Sequence, residues 1–202
     1  MRNINIGLIG FGTVGSGVVR ALQEKKAHLR KHLGVSVNLV KICDKDLRRK
    51  RLLKVDKKLF TGKVSDVIDN PDIDIVVELV GGINPAKDFI LGAIRNKKHV
   101  VTANKALLSD HKKGLFDAAK KNGVELRFEA SVGGGIPIIK SLREGLVANQ
   151  VNSIYGIING TCNYILSQMT QKDISFDTAL AQAQEKGYAE AQPALDEADE
   201  PD

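Results

Sequence analysis

A glycine-rich turn near the N-terminus constrains the fold of this chain more than any other feature. Gly10, Gly12 and Gly15 fit the pattern G-x-G-x-x-G, and they lie between the apolar run Ile4–Ile9 and an amphipathic helical pattern that begins at Val14. In that context the first glycine permits a tight turn, the second lets backbone N–H groups approach a pyrophosphate, and the third lets the helix pack on the strand. The helix start adds unpaired N–H groups and a partial positive charge. The pattern therefore favours a dinucleotide site over a turn that is merely tight.

Strand and helix patterns alternate through the first 130 residues, with turns of only a few residues between them. The apolar runs predict strands over residues 4–9, 35–42, 73–80, 100–102 and 124–128. Helices are predicted over residues 14–33, after Pro85, and from an N-cap at Ser109 to Asn122. This alternation predicts an α/β fold with a doubly wound parallel sheet that is covered by helices on both faces.

The pattern changes after residue 130. Gly133–Gly135 and Pro137 predict a tight turn that leads into a new helix. Further elements are predicted over residues 151–160 (a strand), 161–172 and 176–186 (helices). The acidic, proline-containing end is typical of a solvated tail. We therefore expect one domain over residues 1–130 and the start of an incomplete α+β domain over residues 131–202.

Composition and charge narrow the class of protein. Hydrophobic residues make up 43% of the chain and charged residues 27%, which is typical of a globular protein, and no apolar run is long enough for a membrane span. Residues 45–58 hold eight basic residues and two acids, but no aromatic residue lies among them, so a solvated helical face is favoured over nucleic-acid binding. Cys43 and Cys162 show no CxxC spacing, and the N-terminus reads as a strand instead of a signal peptide, so reduced thiols in the cytoplasm are expected.

The end of the second predicted strand carries competing signals for the cofactor. Asp44 lies where an acid would bind the adenosine ribose and favour NAD. The basic run that begins at Lys45 and includes Arg48 and Arg49 could instead pair with a 2′-phosphate and favour NADP. We expect either cofactor to be tolerated.

Two charged residues lie within or directly after buried strand patterns. Glu78, inside the run "IDIVVELV", is expected to be a hydrogen-bonded carboxylate of the core and not a site residue. Lys105 follows the strand pattern 100–102. Because ligands of open parallel sheets bind at the carboxyl ends of the strands, we expect Lys105 to reach a ligand instead of being an ordinary solvated strand end.

Six segments together resemble homoserine dehydrogenase. They are "GLIGFGTVGSGVV" (7–19), "VVELVGG" (76–82), "KKHVVTANKALL" (97–108), "FEASVGGGIPII" (128–139), "GIINGTCNYIL" (156–166) and "AQEKGYAEAQPALD" (183–196). The resemblance implies a Rossmann-type NAD(P)-binding domain followed by part of a substrate-binding and dimerisation domain. It also implies the reversible interconversion of L-homoserine and L-aspartate 4-semialdehyde with NAD or NADP, on the branch that leads to threonine, isoleucine and methionine. The family is homodimeric; the sequence leaves the oligomeric state of this chain open.

The resemblance also implies roles for particular residues. Lys105 would be catalytic and would contact both the cofactor and the reacting end of the substrate, while Glu190 would bind the amino group of homoserine and Asp196 would also contact the substrate. The residues expected to bind the cofactor are Gly10, Phe11, Gly12, Thr13, Val14, Gly15, Asp44, Gly81, Lys105 and Gly187. Those expected to bind a monovalent cation such as Na⁺, largely through backbone oxygens, are Glu129, Val132, Gly134 and Ile136.

The match to the family weakens at the end of the chain. Gln192 replaces an acid of the family signature, and residues 197–202 depart from the signature before its principal acid/base lysine is reached. We therefore expect a chain that is C-terminally truncated relative to the family and has impaired activity. The alternative is a non-catalytic dinucleotide-binding remnant, or a fragment that needs a complementing polypeptide.

Overall fold

The computed structural model describes residues 2–47, 53–156, 159–186 and 188–189. Within them lies a six-stranded sheet of parallel strands in the order β3-β2-β1-β4-β5-β6. The strands are β1 Asn3–Ile9, β2 Ser36–Cys43, β3 Phe60–Thr61, β4 Ile75–Glu78, β5 His99–Thr102 and β6 Leu126–Arg127. The helices are α1 Thr13–Glu24, α2 Lys26–Leu33, α3 Ser65–Ile68, α4 Ala86–Arg95, α5 Lys105–Asn122, α6 Ile138–Lys140, α7 Gly160–Lys172 and α8 Phe176–Glu185. The predicted fold class, a doubly wound parallel α/β sheet, is confirmed.

The two faces of the sheet bury alternate side chains of the same strands, as the two-residue repeat of a strand requires. Along β1, Leu8 packs on one face with Phe11 and with Val19 of α1. The next residue, Ile9, packs on the opposite face in the same cluster as Ile90 of α4. All five side chains are almost fully buried. The core therefore lies in two layers between the sheet and its helices, which explains the nearly continuous apolar sequence of the central strands.

The order of the strands reverses beside β1. From β1 the chain passes to β2 on one side, and it later returns to β4 on the other side of β1. In open α/β sheets, ligands bind outside the carboxyl ends of the strands at such a switch point. The turns after β1 and β4 therefore lie where a ligand of this sheet is expected to bind.

Two predicted elements differ from those in the structure. The helix predicted over residues 14–33 is divided at Lys25, whose φ and ψ of −100° and 12° depart from helical values. The second piece, α2, buries none of its residues, so packing does not hold it in line with α1. The strand predicted over residues 73–80 is shorter, since its register with β1 and β5 runs from Ile75 to Glu78. None of the helices in the described ranges is long and apolar enough to cross a membrane.

The start of α5 was predicted at the wrong residue. The helix begins at Lys105, and Asn104 is its N-cap: the side-chain oxygen of Asn104 accepts the N–H of Leu107 at 3.1 Å. Ser109, the predicted N-cap, lies inside the helix. Both residues have side chains that suit an N-cap, but Asn104 lies only two residues after the end of β5. Lys105 is therefore the first residue of a helix and not the last of a strand.

The chain divides into two compact units, Met1–Gly134 and Gly135–Asp202. In the described part of the second unit, α7 and α8 pack around Ile165, Ala179 and Ala183. The strand predicted over residues 151–160 is wrong for residues 151–156, which form no strand, and for residues 159–160, where α7 begins; residues 157 and 158 lie outside the described residues. A strand needs a neighbour for its backbone N–H and C=O groups, and the described residues of this unit supply none. The boundary predicted at residue 130 stays a prediction.

Candidate functional site

The turn between β1 and α1 requires glycine at two of its three motif positions. Gly10 has φ of +98°, and a Cβ there would lie 2.5 Å from the carbonyl oxygen of Leu79. A Cβ at Gly15 would overlap the carbonyl oxygen of Gly10. These two glycines therefore let the loop pass close to β4 and let α1 pack on the loop, as the motif predicts.

Gly12 differs, because a Cβ at this position would meet no atom within 4 Å. Gly12 is the N-cap of α1, no side chain caps this helix, and its first turn holds no acidic residue. Thr13 and Val14, the first two residues of the helix, are exposed. The absence of a side chain at Gly12 thus leaves open space at the start of a helix whose first N–H groups suit an anion.

Phe11 and Asp44 hold the turn between β1 and α1 in place. The Phe11 ring is buried and packs edge-on against Phe60, with 5.3 Å between ring centroids. The backbone N–H of Phe11 donates to Asp44 Oδ2 at 2.7 Å, and Asp44 Oδ1 accepts the N–H of Asp46 at 2.8 Å. Any contribution of Phe11 to phosphate binding therefore comes from the shape of the loop and not from its ring. The sequence did not predict this hydrogen bond between the turn and Asp44, the residue after β2.

A cavity of about 560 Å³ opens at the carboxyl edge of the sheet. Gly10, Asp44 and Gly81, three residues predicted to bind the cofactor, all line it. Its other lining residues include Leu79 and Phe89, which sequence reasoning did not assign to the site. Apolar walls with a few polar groups, and a volume in this range, are typical of small-molecule sites. The structure thus brings together the glycine loop, the end of β2 and the turn after β4.

Cys43 forms part of the same cavity wall. Burial raises the pKa of the Cys43 thiol above 9.0, and the carboxylates of Asp44 and Asp66 raise it further. The side chain therefore stays protonated at neutral pH and behaves as a small apolar group.

Glu78 lies at the end of β4 and is fully buried. Its Oε1 accepts the backbone N–H of Val80, and its Oε2 accepts the hydroxyl of Thr102, both at 2.7 Å. The prediction that Glu78 is a hydrogen-bonded core carboxylate is confirmed. The chain then turns through Gly81 and Gly82, whose φ values of +74° and +69° favour glycine.

Lys105 is exposed at the first position of α5, the helix that follows β5. A positive charge at this end is opposed by the helix dipole and costs the helix roughly 0.3–1 kcal/mol. Local helix preferences therefore do not explain a lysine here, which is the kind of exception that functional positions show. Lys105 is not one of the described residues that line the 560 Å³ cavity.

The predicted cation ligands are divided between the two units. Glu129 begins a 3₁₀ turn that ends at Ser131, and its carbonyl oxygen accepts the N–H of Val132 at 3.3 Å. Gly134 is exposed at the end of the first unit, and Ile136 is exposed in the second. Gly187, Glu190 and Asp196 lie outside the described residues.

The second unit has an open cavity of its own, of about 590 Å³. Thr161, Tyr164 and Tyr188 are among its lining residues. The Thr161 hydroxyl donates to the carbonyl oxygen of Tyr188 at 2.5 Å, and the two tyrosine rings lie 5.0 Å apart between centroids. This contact fixes the segment that precedes Glu190 against the start of α7. Only the quoted family segments signalled this region in the sequence.

Comparisons with known proteins show which family the chain resembles. Residues 10–129 match the family model "Homoserine dehydrogenase, NAD binding domain", and residues 137–198 match the model "Homoserine dehydrogenase". The homoserine dehydrogenase of Bacillus subtilis (strain 168) is 44% identical over 196 residues, which are 97% of this chain and 45% of that protein. The chain thus spans about half the length of the curated relatives it matches.

Solved structures give the same similarity. The crystal structure of a homoserine dehydrogenase from Thiobacillus denitrificans matches with a TM-score of 0.86 and 45% identity, covering 97% of this chain and 45% of that one. A hyperthermophilic archaeal homoserine dehydrogenase in complex with NADPH matches with a TM-score of 0.78 and 25% identity, covering 95% of this chain and 63% of that one.

Proposed function

Because the chain belongs to the homoserine dehydrogenase family, a family of NAD(P)-dependent oxidoreductases, we propose that it serves the interconversion of L-homoserine and L-aspartate 4-semialdehyde. The observation that carries the proposal is the cavity at the switch point of the sheet, where Gly10, Asp44 and Gly81 meet beside an uncapped helix start. The chain spans about half of its curated relatives, so the reaction is proposed from the family and from this cofactor cavity together.

In this proposal the dinucleotide lies along the carboxyl edge of the sheet, with its adenosine end beside Asp44. The N–H groups at the start of α1 would bind the pyrophosphate, and Gly12 leaves room for it because it has no side chain. The cavity beside Asp44 would hold the adenosine, and Gly81 would lie toward the nicotinamide ribose. The bound cofactor would accept or donate the hydride, and the protein would position the reacting carbon against it.

The proposed ribose contact bears on the choice between NAD and NADP. Both carboxylate oxygens of Asp44 accept backbone N–H groups, so its charge is held at the rim of the cavity, where it favours a ribose hydroxyl. Lys45 lines the same cavity and would favour a 2′-phosphate. We propose that both cofactors bind, in keeping with the NADPH complex of the archaeal relative.

The remaining roles rest on the family resemblance. Lys105 would handle the hydroxyl proton of homoserine during hydride transfer, as a lysine at a helix start beside a cofactor can. Glu190 would accept the ammonium group of the substrate, and Gly187 and Asp196 would lie beside it. Glu129, Val132, Gly134 and Ile136 would bind a monovalent cation. The proposal includes a cytoplasmic location, with residues 1–130 as the cofactor domain and 131–202 as part of the substrate domain.

The test is homoserine-dependent reduction of NAD⁺ and NADP⁺ by the purified chain, followed at 340 nm, beside fluorescence titrations with NADH and NADPH. We expect cofactor binding, and turnover with L-homoserine that Lys105→Gln lowers by roughly 10²-fold or more. Lys113→Gln is the matched control, because Lys113 is an exposed lysine on the same helix. The expectation that this chain has impaired turnover stays a prediction, which the wild-type rate tests.

A non-catalytic dinucleotide-binding role is the second candidate, because the cavity at the carboxyl edge of the sheet is lined by residues that are proposed to bind the cofactor. It predicts tight binding of NADH or NADPH without homoserine-dependent reduction at any chain concentration. A failure to bind either cofactor would contradict both candidates.

A further inference from the structure

A chain of buried polar groups connects the ends of β4 and β5. Glu78 and Thr102 are fully buried, and Asn104 is 7% exposed. The Thr102 hydroxyl donates to Glu78 Oε2 at 2.7 Å, and the backbone N–H of Asn104 donates to Thr102 Oγ1 at 3.0 Å. The proposed reaction assigns no task to Glu78, Thr102 or Asn104.

Both hydrogen bonds to Glu78 have the carboxylate as acceptor. Its Oε1 accepts the Val80 N–H, and its Oε2 accepts the Thr102 hydroxyl. Since Thr102 donates to Glu78, a lone pair of its hydroxyl oxygen is left to accept the Asn104 N–H. A glutamine at position 78 would place an N–H₂ group against one of these donors, and one hydrogen bond would be lost.

The chain of groups ends on two loops of the candidate site. Asn104 Nδ2 donates to the carbonyl oxygen of Gly82 at 2.6 Å, and Asn104 Oδ1 accepts the Leu107 N–H at the start of α5. Asn104 therefore connects the Gly81–Gly82 turn by hydrogen bonds to the first turn of α5, where Lys105 lies. The carboxylate of Glu78 also bonds the Gly81–Gly82 turn, through the N–H of Val80 just before it.

The pairing of β4 with β5 does not require these side chains. Glu78 and Thr102 are opposite each other in the register, and their backbones already take part in the ladder. A buried carboxylate is costly, and apolar side chains of similar size are often neutral or stabilising at such positions. The bonds from Glu78 and Asn104 instead reach beyond the strands, to the two turns that follow them.

We propose that Glu78 is a positioning residue that, through Thr102 and Asn104, holds the Gly81–Gly82 turn and the Lys105 end of α5 in one fixed arrangement. This role rests on the proposed function, in which Gly81 and Lys105 flank the nicotinamide end of the cofactor. Preorganised contacts of this kind lower the cost of ordering the site when cofactor and substrate bind.

The first experiment measures coupling without any ligand, by native-state amide hydrogen exchange of the full chain. Thr102→Val removes the link in the middle of the network, although neither the Val80 nor the Leu107 amide bonds Thr102 directly. We expect both amides to exchange roughly tenfold faster or more in Thr102→Val and in Glu78→Gln, as expected when a buried polar group loses its hydrogen-bond partner. Thr102→Ser keeps the hydroxyl and should restore wild-type exchange.

Thr61 offers a matched control at the same edge of the sheet. Its hydroxyl also donates to a carboxylate, Asp66 Oδ2 at 2.5 Å, and also accepts an N–H two residues ahead, that of Lys63. Thr61→Val should therefore leave the exchange of the Val80 and Leu107 amides unchanged. Unchanged exchange in Thr102→Val, or equal acceleration in Thr61→Val, would overturn the proposal.

The second experiment measures the dissociation constants of NADH and NADPH by fluorescence. We expect both constants to rise roughly tenfold in Thr102→Val and to return to the wild-type values in Thr102→Ser. Asn104→Asp keeps the acceptor that caps α5 but replaces the donor to Gly82 by a carboxylate oxygen, which the Gly82 carbonyl oxygen repels, so it should weaken binding even if Thr102→Val does not fold.

The possible failures are distinguishable. Faster exchange with unchanged dissociation constants in Thr102→Val and Asn104→Asp would overturn the positioning role while leaving the proposed function standing. If the wild-type chain binds neither cofactor, the proposed function fails, and the positioning role fails with it.

Discussion

At the scale of single residues, Lys98 is a buried lysine at the amino edge of the sheet, opposite the candidate site. Its ammonium group donates to the carbonyl oxygens of Asn70 and Ile73, at 2.5 and 2.8 Å. Burial lowers the pKa of Lys98 below 10.5, against the opposing effect of Asp74 and two nearby aspartates. Lys98 therefore pairs two backbone carbonyl groups at the end of the sheet opposite to the one where ligands bind in folds of this type.

The lowered pKa of Lys98 predicts how stability varies with pH. Between the folded-state pKa and 10.5, the folded chain binds fewer protons than the unfolded chain, so the free energy of unfolding rises with pH in that interval. Lys98→Met removes this contribution. The quantity to measure, with urea, is the free energy of unfolding of wild type minus that of Lys98→Met. This difference should increase as the pH is raised from neutral toward 10.5.

The exposed Lys97 supplies the control for this measurement. The difference between wild type and Lys97→Met should vary much less over the same pH interval. A flat difference for Lys98→Met would contradict the burial argument.

At the scale of elements, the close approach of the β1–α1 turn to β4 depends on Gly10. Gly10→Ala would combine a positive φ with a Cβ that overlaps the backbone at Leu79. We expect a loss of about 2–4 kcal/mol in the free energy of unfolding, measured from urea midpoints. Gly17→Ala is the matched control in α1, because its Cβ meets no atom within 4 Å, and it should stabilise the chain by up to about 1 kcal/mol. An unchanged midpoint for Gly10→Ala would show that this approach does not constrain the turn.

Elements with a strong local signal could be predicted from the sequence. The spacing of Gly10, Gly12 and Gly15 located the turn, and continuous apolar runs located β1 and β4, because a strand covered on both faces needs apolar residues throughout. The helix that follows β5 was also expected, although its first residue was misplaced. Asn104 lies two residues after the strand, and its buried polar side chain both caps α5 and donates to the carbonyl oxygen of Gly82.

Features that depend on distant partners could not be predicted. Residues 151–156 contain several residue types that favour strands, but they form none. Strand formation depends on a neighbouring strand, which local composition does not reveal. Likewise, nothing near Phe11 in the sequence indicates that its N–H bonds Asp44, 33 residues away. Glu78 was correctly placed in the core, but its role as a link between two loops depends on Thr102, which is 24 residues away.

At the scale of the whole molecule, the two compact units match two successive models of one family. The first unit contains the glycine loop, the switch point and the 560 Å³ cavity. The second unit carries the segments that, in the resemblance, bind the substrate. Cofactor binding is therefore the property that the described residues support most directly.

Fluorescence titration of the full chain with NADH and NADPH tests this claim most directly, with Gly12→Ala and Gly17→Ala measured in parallel. Alanine at either position meets no atom within 4 Å, so both variants should fold, but only at Gly12 would the Cβ enter the proposed path of the pyrophosphate. We predict dissociation constants on the order of micromolar for wild type and Gly17→Ala, and a weakening of roughly tenfold or more in Gly12→Ala. Absence of binding by the wild-type chain, or equal binding by Gly12→Ala, would contradict the account.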